Sequence, residues 1–204
     1  MILILIKGIQ RQGSDAIYRG QPFQRGHLAP SAIYSSTQDR FRSTFVYTNA
    51  VPQRPAFNGG QWSQFERRIR GYASICTQGT QPGSLYLVTG TAFGHIQNNP
   101  PGYNPQVPVD QLGPAGNNPA INVPNLMWTA GCCVFQNGNV KGFAVVGNNL
   151  QDTTQMLTQQ ITVARLASIL RIDVVNLNIG GPNVDLFPGN GACSNTANNL
   201  PNLP

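Results

Sequence analysis

Charge is scarce in this chain: only 10% of its 204 residues are Asp, Glu, Lys or Arg, and Glu66 is the sole glutamate. Histidine is nearly as rare, with His27 and His95 alone. The four cysteines include no Cys-x-x-Cys spacing, which argues against a structural zinc site. No apolar run approaches the ~20 residues of a membrane-spanning helix. The apolar start, MILILIK, is too short for a secretory core and has no small-residue cleavage site after it. It reads either as a strand or as the stub of a longer chain. No fixed-period repeat is present, which excludes a solenoid. Glycine (22) and proline (16) are plentiful, so a loop-rich fold is expected rather than a helical bundle. The length fits one domain with a sizeable core.

The little charge there is lies unevenly. Residues 1–70 hold ten basic residues against three acids, a net +7, and the remainder has a net −1. A basic half of this kind fits a polyanion, because cations gain affinity by releasing counterions from phosphates. A merely basic soluble surface is the plainer alternative.

Residues 8–22 are polar and read as an exposed lead-in. Phe23–Leu28 reads as a short strand that delivers His27, and residues 31–43 as a polar connection. Thr44–Asn49 is β-prone and predicts a second strand. Pro52 and Pro55 then predict a non-helical loop. From Asn58 to about Cys76 the pattern is helical, with Trp62, Phe65, Ile69 and Tyr72 on one stripe. Asn58 falls at or just before its N-cap, and Glu66 and Arg70 have the i, i+4 spacing of an ion pair. Leu85–Thr91 predicts a buried strand, and residues 94–125 a long excursion loop. Met127–Phe135 and Phe143–Asn148 predict strands joined through Asn137-Gly138. Thr162 can cap a helix over Val163–Leu170, and the tail after Gly180 is expected to be loose unless Cys193 ties it down.

Cys76, Cys132, Cys133 and Cys193 allow two disulfides in three pairings. Cys132 and Cys133 are adjacent in a strand-like run, so they should point to opposite faces and be strained if joined. Cys76 and Cys193 are the better partners; buried free thiols remain the other reading.

Between residues 21 and 70 lie the parts of a one-metal phosphodiesterase. Neutral imidazole takes a proton from water near neutral pH, and Arg25 beside His27 favours the neutral form. Asn58 offers a neutral oxygen to a hard cation, with Glu66 holding its waters. Arg25 and Arg70 can clamp phosphate oxygens. Taken singly, each has an ordinary structural role: a core histidine, a helix cap, a surface ion pair.

The spacing outweighs those ordinary roles. Arg25-Gly26-His27, then Thr48-Asn49-Ala50-Val51-Pro52-Gln53, then Asn58, Trp62, Glu66 and Arg70 at four-residue intervals resemble the DNA/RNA non-specific endonucleases. These are ββα-metal enzymes, a group that includes secreted endonuclease-domain proteins. The resemblance covers about residues 20–175 and implies an α+β, ββα-metal (His-Me finger) nuclease fold. Its central sheet is mainly antiparallel, with flanking helices and long loops. It implies His27 as general base, Asn58 as metal ligand, and Glu66 as metal support through water. Arg25 and Arg70 become phosphate contacts, and Asn49 orders the site. The implied cofactor is Mg²⁺ or Mn²⁺. The implied partner is DNA or RNA, held through backbone phosphates with little sequence preference.

Two departures stand out: Gln24 occupies the place of the family's Asp, and only about twenty residues precede the motif. The expected organisation is a lead-in over 1–20, an endonuclease domain over 20–180 and a Pro/Asn/Gly-rich tail over 181–204. An extracellular location is expected. The rival reading is a nuclease-derived nucleic-acid-binding or matrix-type module without turnover. His95, after a predicted strand, is chiefly expected to be structural.

Overall fold

β-branched and aromatic residues concentrate in a few runs, and these runs build one sheet. The computed structural model describes residues 2–6, 13–98, 101–105, 107–115, 119–176, 184–187 and 191–195. The chain begins with β1 (Ile2–Ile6), α1 (Asp15–Tyr18), β2 (Gln24–His27), α2 (Gln38–Ser43) and β3 (Ala50–Gln53). A helical turn, α3 (Pro55–Phe57), passes through a π-helical turn at Asn58–Trp62 into the long helix α4 (Ser63–Gln78). There follow β4 (Gly83–Ala92), β5 (His95–Asn98), β6 (Pro101–Asn104), β7 (Gln111–Leu112) and β8 (Ile121–Asn122). The last elements are β9 (Leu126–Phe135), β10 (Val140–Asn148), β11 (Thr158–Ile161), α5 (Val163–Asn176) and α6 (Gly191–Asn195).

The central sheet has the order β1-β4-β9-β10-β11, with only the β1–β4 pair parallel. Both of its faces are covered, and strand alternation divides the core between them. One face carries Val88, Trp128, Ala130, Cys132, Ala144 and Val146, packed against Val163, Leu166, Ile169 and Leu170 of α5. The other carries Leu85, Leu87, Met127, Cys133, Phe143 and Val145, packed against Ile69, Tyr72 and Cys76 of α4. Burying such side chains stabilises the fold by about 1.5–3 kcal/mol each. Adjacent cysteines do point to opposite faces. Cys133 bonds to Cys76 and ties α4 to one face; Cys132 bonds to Cys193 and ties α6 to the other.

Several expectations hold. Gly138, at φ 83°, turns the β9–β10 hairpin, and the Thr162 hydroxyl accepts from the Arg165 N–H at the start of α5. The loose tail is tied down where it is described: Leu186, Phe187 and Cys193 are buried.

Others are corrected. Thr44–Asn49 is not the second strand. The Thr44 hydroxyl donates to the Phe41 carbonyl at the end of α2, and Tyr47–Asn49 wind into a 3-10 turn closed by Asn49 N–H to Val46 C=O. The strand begins one residue later and contains Pro52, paired opposite Arg25 in a two-stranded ribbon. Alternate residue pairs of an antiparallel ladder exchange no backbone bonds, so a proline is tolerated there. The polar connection of 31–43 includes α2. In the supposed lead-in, α1 buries Ile17 and Tyr18 against Leu112, Ile121 and Val123. The excursion over 94–125 contains two short hairpins, β5–β6 and β7–β8.

Candidate active site

His27 reaches its position because the β2–β3 ribbon is held at both ends. Asn49, buried at 3% exposure, does most of this. Its carboxamide oxygen accepts from the Ala29 N–H (2.8 Å), while its amide donates to the carbonyls of Ala29 (3.1 Å) and Thr44 (2.9 Å). The Leu28 N–H donates to the Asn49 carbonyl, so the residues just after His27 cannot swing away. Gly26 is needed for a different reason. A Cβ there would lie 2.1 Å from the buried Gln53 side chain, so only glycine lets β2 close on β3.

Arg25 and His27 lie two residues apart on β2. Together with Asn49, Asp15, Phe45 and Tyr47 they line a cleft of about 290 Å³. Burial lowers the His27 pKa, which keeps its ring a neutral proton acceptor. The ring stands edge-on to Phe45, 4.8 Å between centroids. The Arg25 guanidinium donates to Asp15 at 2.7 Å and lies 5.3 Å and 5.8 Å from the Tyr18 and Tyr47 rings. The Tyr47 hydroxyl donates to the same Asp15 oxygen.

Asn58 and Glu66 come from the helical arm. Asn58 lies at the start of the π-helical turn, not at an N-cap, and its backbone is already helical. Its side-chain amide donates to the side-chain carboxamide oxygen of Gln24 at 2.8 Å, joining helix to ribbon. That bond occupies the nitrogen end and leaves the Asn58 carbonyl oxygen to act as a ligand. Glu66 follows about two turns on. Burial pushes its carboxyl up to about 7, while the Trp62 indole and the Arg67 guanidinium pull it down. The expected Glu66–Arg70 ion pair is absent from the described pairs, which are Arg25–Asp15 and Arg54–Asp110. Arg70 is exposed on α4.

A neutral carboxamide oxygen and a largely buried carboxylate suit a hard divalent ion, which favours oxygen ligands and keeps much of its water. The donor set therefore fits the metal. His95 lines another cleft, of about 420 Å³, with Gln97, Asn98, Thr154 and Gln155; burial lowers its pKa too.

Three features were missed from sequence: the Asp15–Tyr47 clasp on Arg25, the Gln24–Asn58 bond, and the effect of Trp62 and Arg67 on Glu66. The first two join residues 10 to 34 apart, for which short-range spacing gives no signal.

An antiparallel ribbon bearing histidine, followed by a helix bearing asparagine and glutamate, is the ββα-metal nuclease fold. The chain belongs to the DNA/RNA non-specific endonuclease family, whose sequence pattern matches residues 5–177. It is 36% identical over 77 residues to a Nostoc sp. nuclease, covering 38% of this chain and 26% of that one. Human mitochondrial endonuclease G is 34% identical over 82 residues, or 40% of this chain and 26% of the relative. Mitochondrial Nuclease 1 of Schizosaccharomyces pombe is 31% identical over 108 residues, 52% and 30% of the two chains. These matches span between a quarter and a third of the relatives' lengths. In fold the chain is similar to one in the crystal structure of the EndoG/EndoGI complex. The TM-score is 0.57 at 18% identity, over 76% of this chain and 59% of that one.

Proposed function

We propose that this protein hydrolyses phosphodiester bonds in DNA or RNA without sequence preference, and that residues 20–180 form the endonuclease unit. The observation that carries the reading is a neutral His27 beside the Arg25 guanidinium, on a ribbon bonded through Gln24 to Asn58.

His27 takes the proton of the attacking water, a role worth about 10²–10⁴-fold in rate. Arg25 and Arg70 neutralise phosphate oxygens; Arg25 does so by exchanging Asp15 for substrate. Asn49 holds the loop behind His27 and keeps the imidazole facing the cleft. Asn58 would hold a divalent cation, Mg²⁺ or Mn²⁺, through its side-chain oxygen, and Glu66 would support it through water. Bound there, the ion supplies charge neutralisation at the scissile phosphate and leaving oxygen. Contacts to the phosphate backbone rather than to base edges account for the lack of sequence preference. The two disulfides suit an oxidising compartment, either outside the cell or within an organelle.

The test is plasmid nicking with Mg²⁺, with EDTA, and with His27→Ala. Metal-dependent nicking that His27→Ala abolishes supports the reading; an inert intact protein refutes it. Gln24 in place of a carboxylate favours a second reading, a binding module without turnover. That reading predicts salt-sensitive DNA binding that His27→Ala leaves unchanged.

A further inference from the structure

Beside the cleft the protein exposes apolar surface that its own fold does not use. Phe45 is 59% exposed, Val46 47% and Phe41 38%. The two rings lie 4.9 Å apart at 56°, and Phe45 also packs near-perpendicular to the His27 ring. Two hydrogen bonds hold the backbone under this patch. The Phe45 N–H donates to the Arg42 carbonyl, and the carbonyl of neighbouring Thr44 accepts from the buried Asn49 amide. Arg40 and Arg42, in the last turn of α2, are both exposed beside it.

Contiguous exposed aromatic surface marks a binding site more often than chance. Its chemistry here is specific: Phe45, an exposed aromatic side chain, lines the same cleft as Arg25 and His27, and two further arginines lie exposed on α2. A nucleobase attached to a phosphate in that cleft has the matching parts, because every base offers a flat apolar face and its backbone offers negative charge. In a duplex those faces are already stacked on neighbouring bases and are not available.

We propose that Phe45, with Phe41 behind it, is a stacking platform for one unpaired nucleobase next to the scissile phosphate, making single-stranded or locally unstacked nucleic acid the preferred substrate. This rests on the hydrolytic reading for the position of the phosphate. The expected binding contribution is about 5-fold or more in affinity for one stacked base.

The test compares binding of three probes in EDTA by fluorescence anisotropy: a single-stranded oligonucleotide, the same strand with abasic sites, and its duplex. The wild-type protein is expected to bind the intact single strand at least about 5-fold tighter than the abasic one. Phe45→Leu, at an exposed position, removes that difference and leaves duplex binding unchanged. Equal wild-type affinity for intact and abasic strands overturns the proposal. So does equal weakening of single-strand and duplex binding by Phe45→Leu, since the ring then supports the ribbon rather than a base. Binding in EDTA does not depend on hydrolysis. An inert protein that still discriminates the two strands refutes the nuclease reading and keeps the platform; a nicking protein that does not discriminate does the reverse.

Discussion

Glu66 and Asp173 are both carboxylates on helices that pack against opposite faces of the central sheet, and their surroundings differ. Asp173, on α5, is 7% exposed and accepts hydrogen bonds from the Phe93 N–H (3.1 Å), the Gly94 N–H (3.4 Å) and the Tyr103 hydroxyl (2.5 Å). Those donors pin the β4–β5 turn to α5 and leave the carboxylate little to offer anything else. Glu66, on α4, has the Trp62 indole and the Arg67 guanidinium near it, and burial still drives its pKa up to about 7. A carboxylate compensated by hydrogen bonds within the fold does structural work; one on which burial outweighs its neighbours is available to a metal. The same division runs through the molecule. The α5 face holds the sheet and tail together, while the α4 face carries the ribbon and the candidate catalytic groups.

The comparison can be broken most decisively at His27. On the α4 side, His27→Ala is expected to lower nicking by about 10²–10⁴-fold with an unchanged melting temperature. No conservative change on the α5 face should approach that. Next come the two carboxylates. Asp173→Ala strands three donors and is expected to cost about 2–4 kcal/mol in denaturant unfolding, with turnover per folded molecule intact. Glu66→Gln should do the opposite, weakening Mg²⁺ binding or turnover by about 10–100-fold without loss of stability. If both substitutions act on stability alone, the division between faces is wrong.

The disulfides sharpen the same point. They join cysteines 57 and 61 positions apart, so each is expected to contribute similarly, about 2–4 kcal/mol. Replacing Cys76 and Cys133 by Ala should also weaken Mg²⁺ binding, because α4 carries Glu66 and follows directly from Asn58. Replacing Cys132 and Cys193 should cost stability alone. Calorimetric Mg²⁺ titration beside a melting curve separates the two. A smaller effect is expected at Gln24. Gln24→Ala frees the Asn58 amide to rotate and should weaken Mg²⁺ binding by about 10-fold.

The smallest expected effect is with pH. Burial lowers the His27 pKa, and as the proposed general base the ring would act in its neutral form. The His27 step of the nicking profile should therefore be complete below 6.5, the ordinary imidazole value, with any further rise near 7 belonging to Glu66. The same depressed pKa makes the His27 contribution to stability complete above that value and lost as pH falls through the folded-state pKa. A rise centred above 6.5 would show that another group limits the rate.

Much of this was legible because it is local. Strand alternation alone put Cys132 and Cys133 on opposite faces, and a 3, 4, 3 spacing placed Ile69 and Tyr72 against the sheet. Asn137-Gly138 marked its hairpin and Thr162 its helix. The four-residue intervals from Asn58 to Arg70 laid the polar groups along one arm. What escaped depends on contacts across the fold. Phe45 and Val46 look like strand residues, yet Thr44 bonds back to α2 and Asn49 bonds back to Thr44, which leaves both exposed. Ile17 lies in a mostly polar stretch of the sequence but meets Leu112 and Ile121 in space. The acid facing Arg25 is ten residues away, on another element. Arg70 was placed by spacing, and the structure leaves it outward on α4 without the Glu66 pair.

Crystals soaked in Mn²⁺ and measured for anomalous scattering bear most directly on the account. A peak about 2.1 Å from the Asn58 carbonyl oxygen, on the side of the His27 ring, is the result it predicts. A protein with no peak at Asn58, or with its Mn²⁺ beside Asp173 instead, contradicts it.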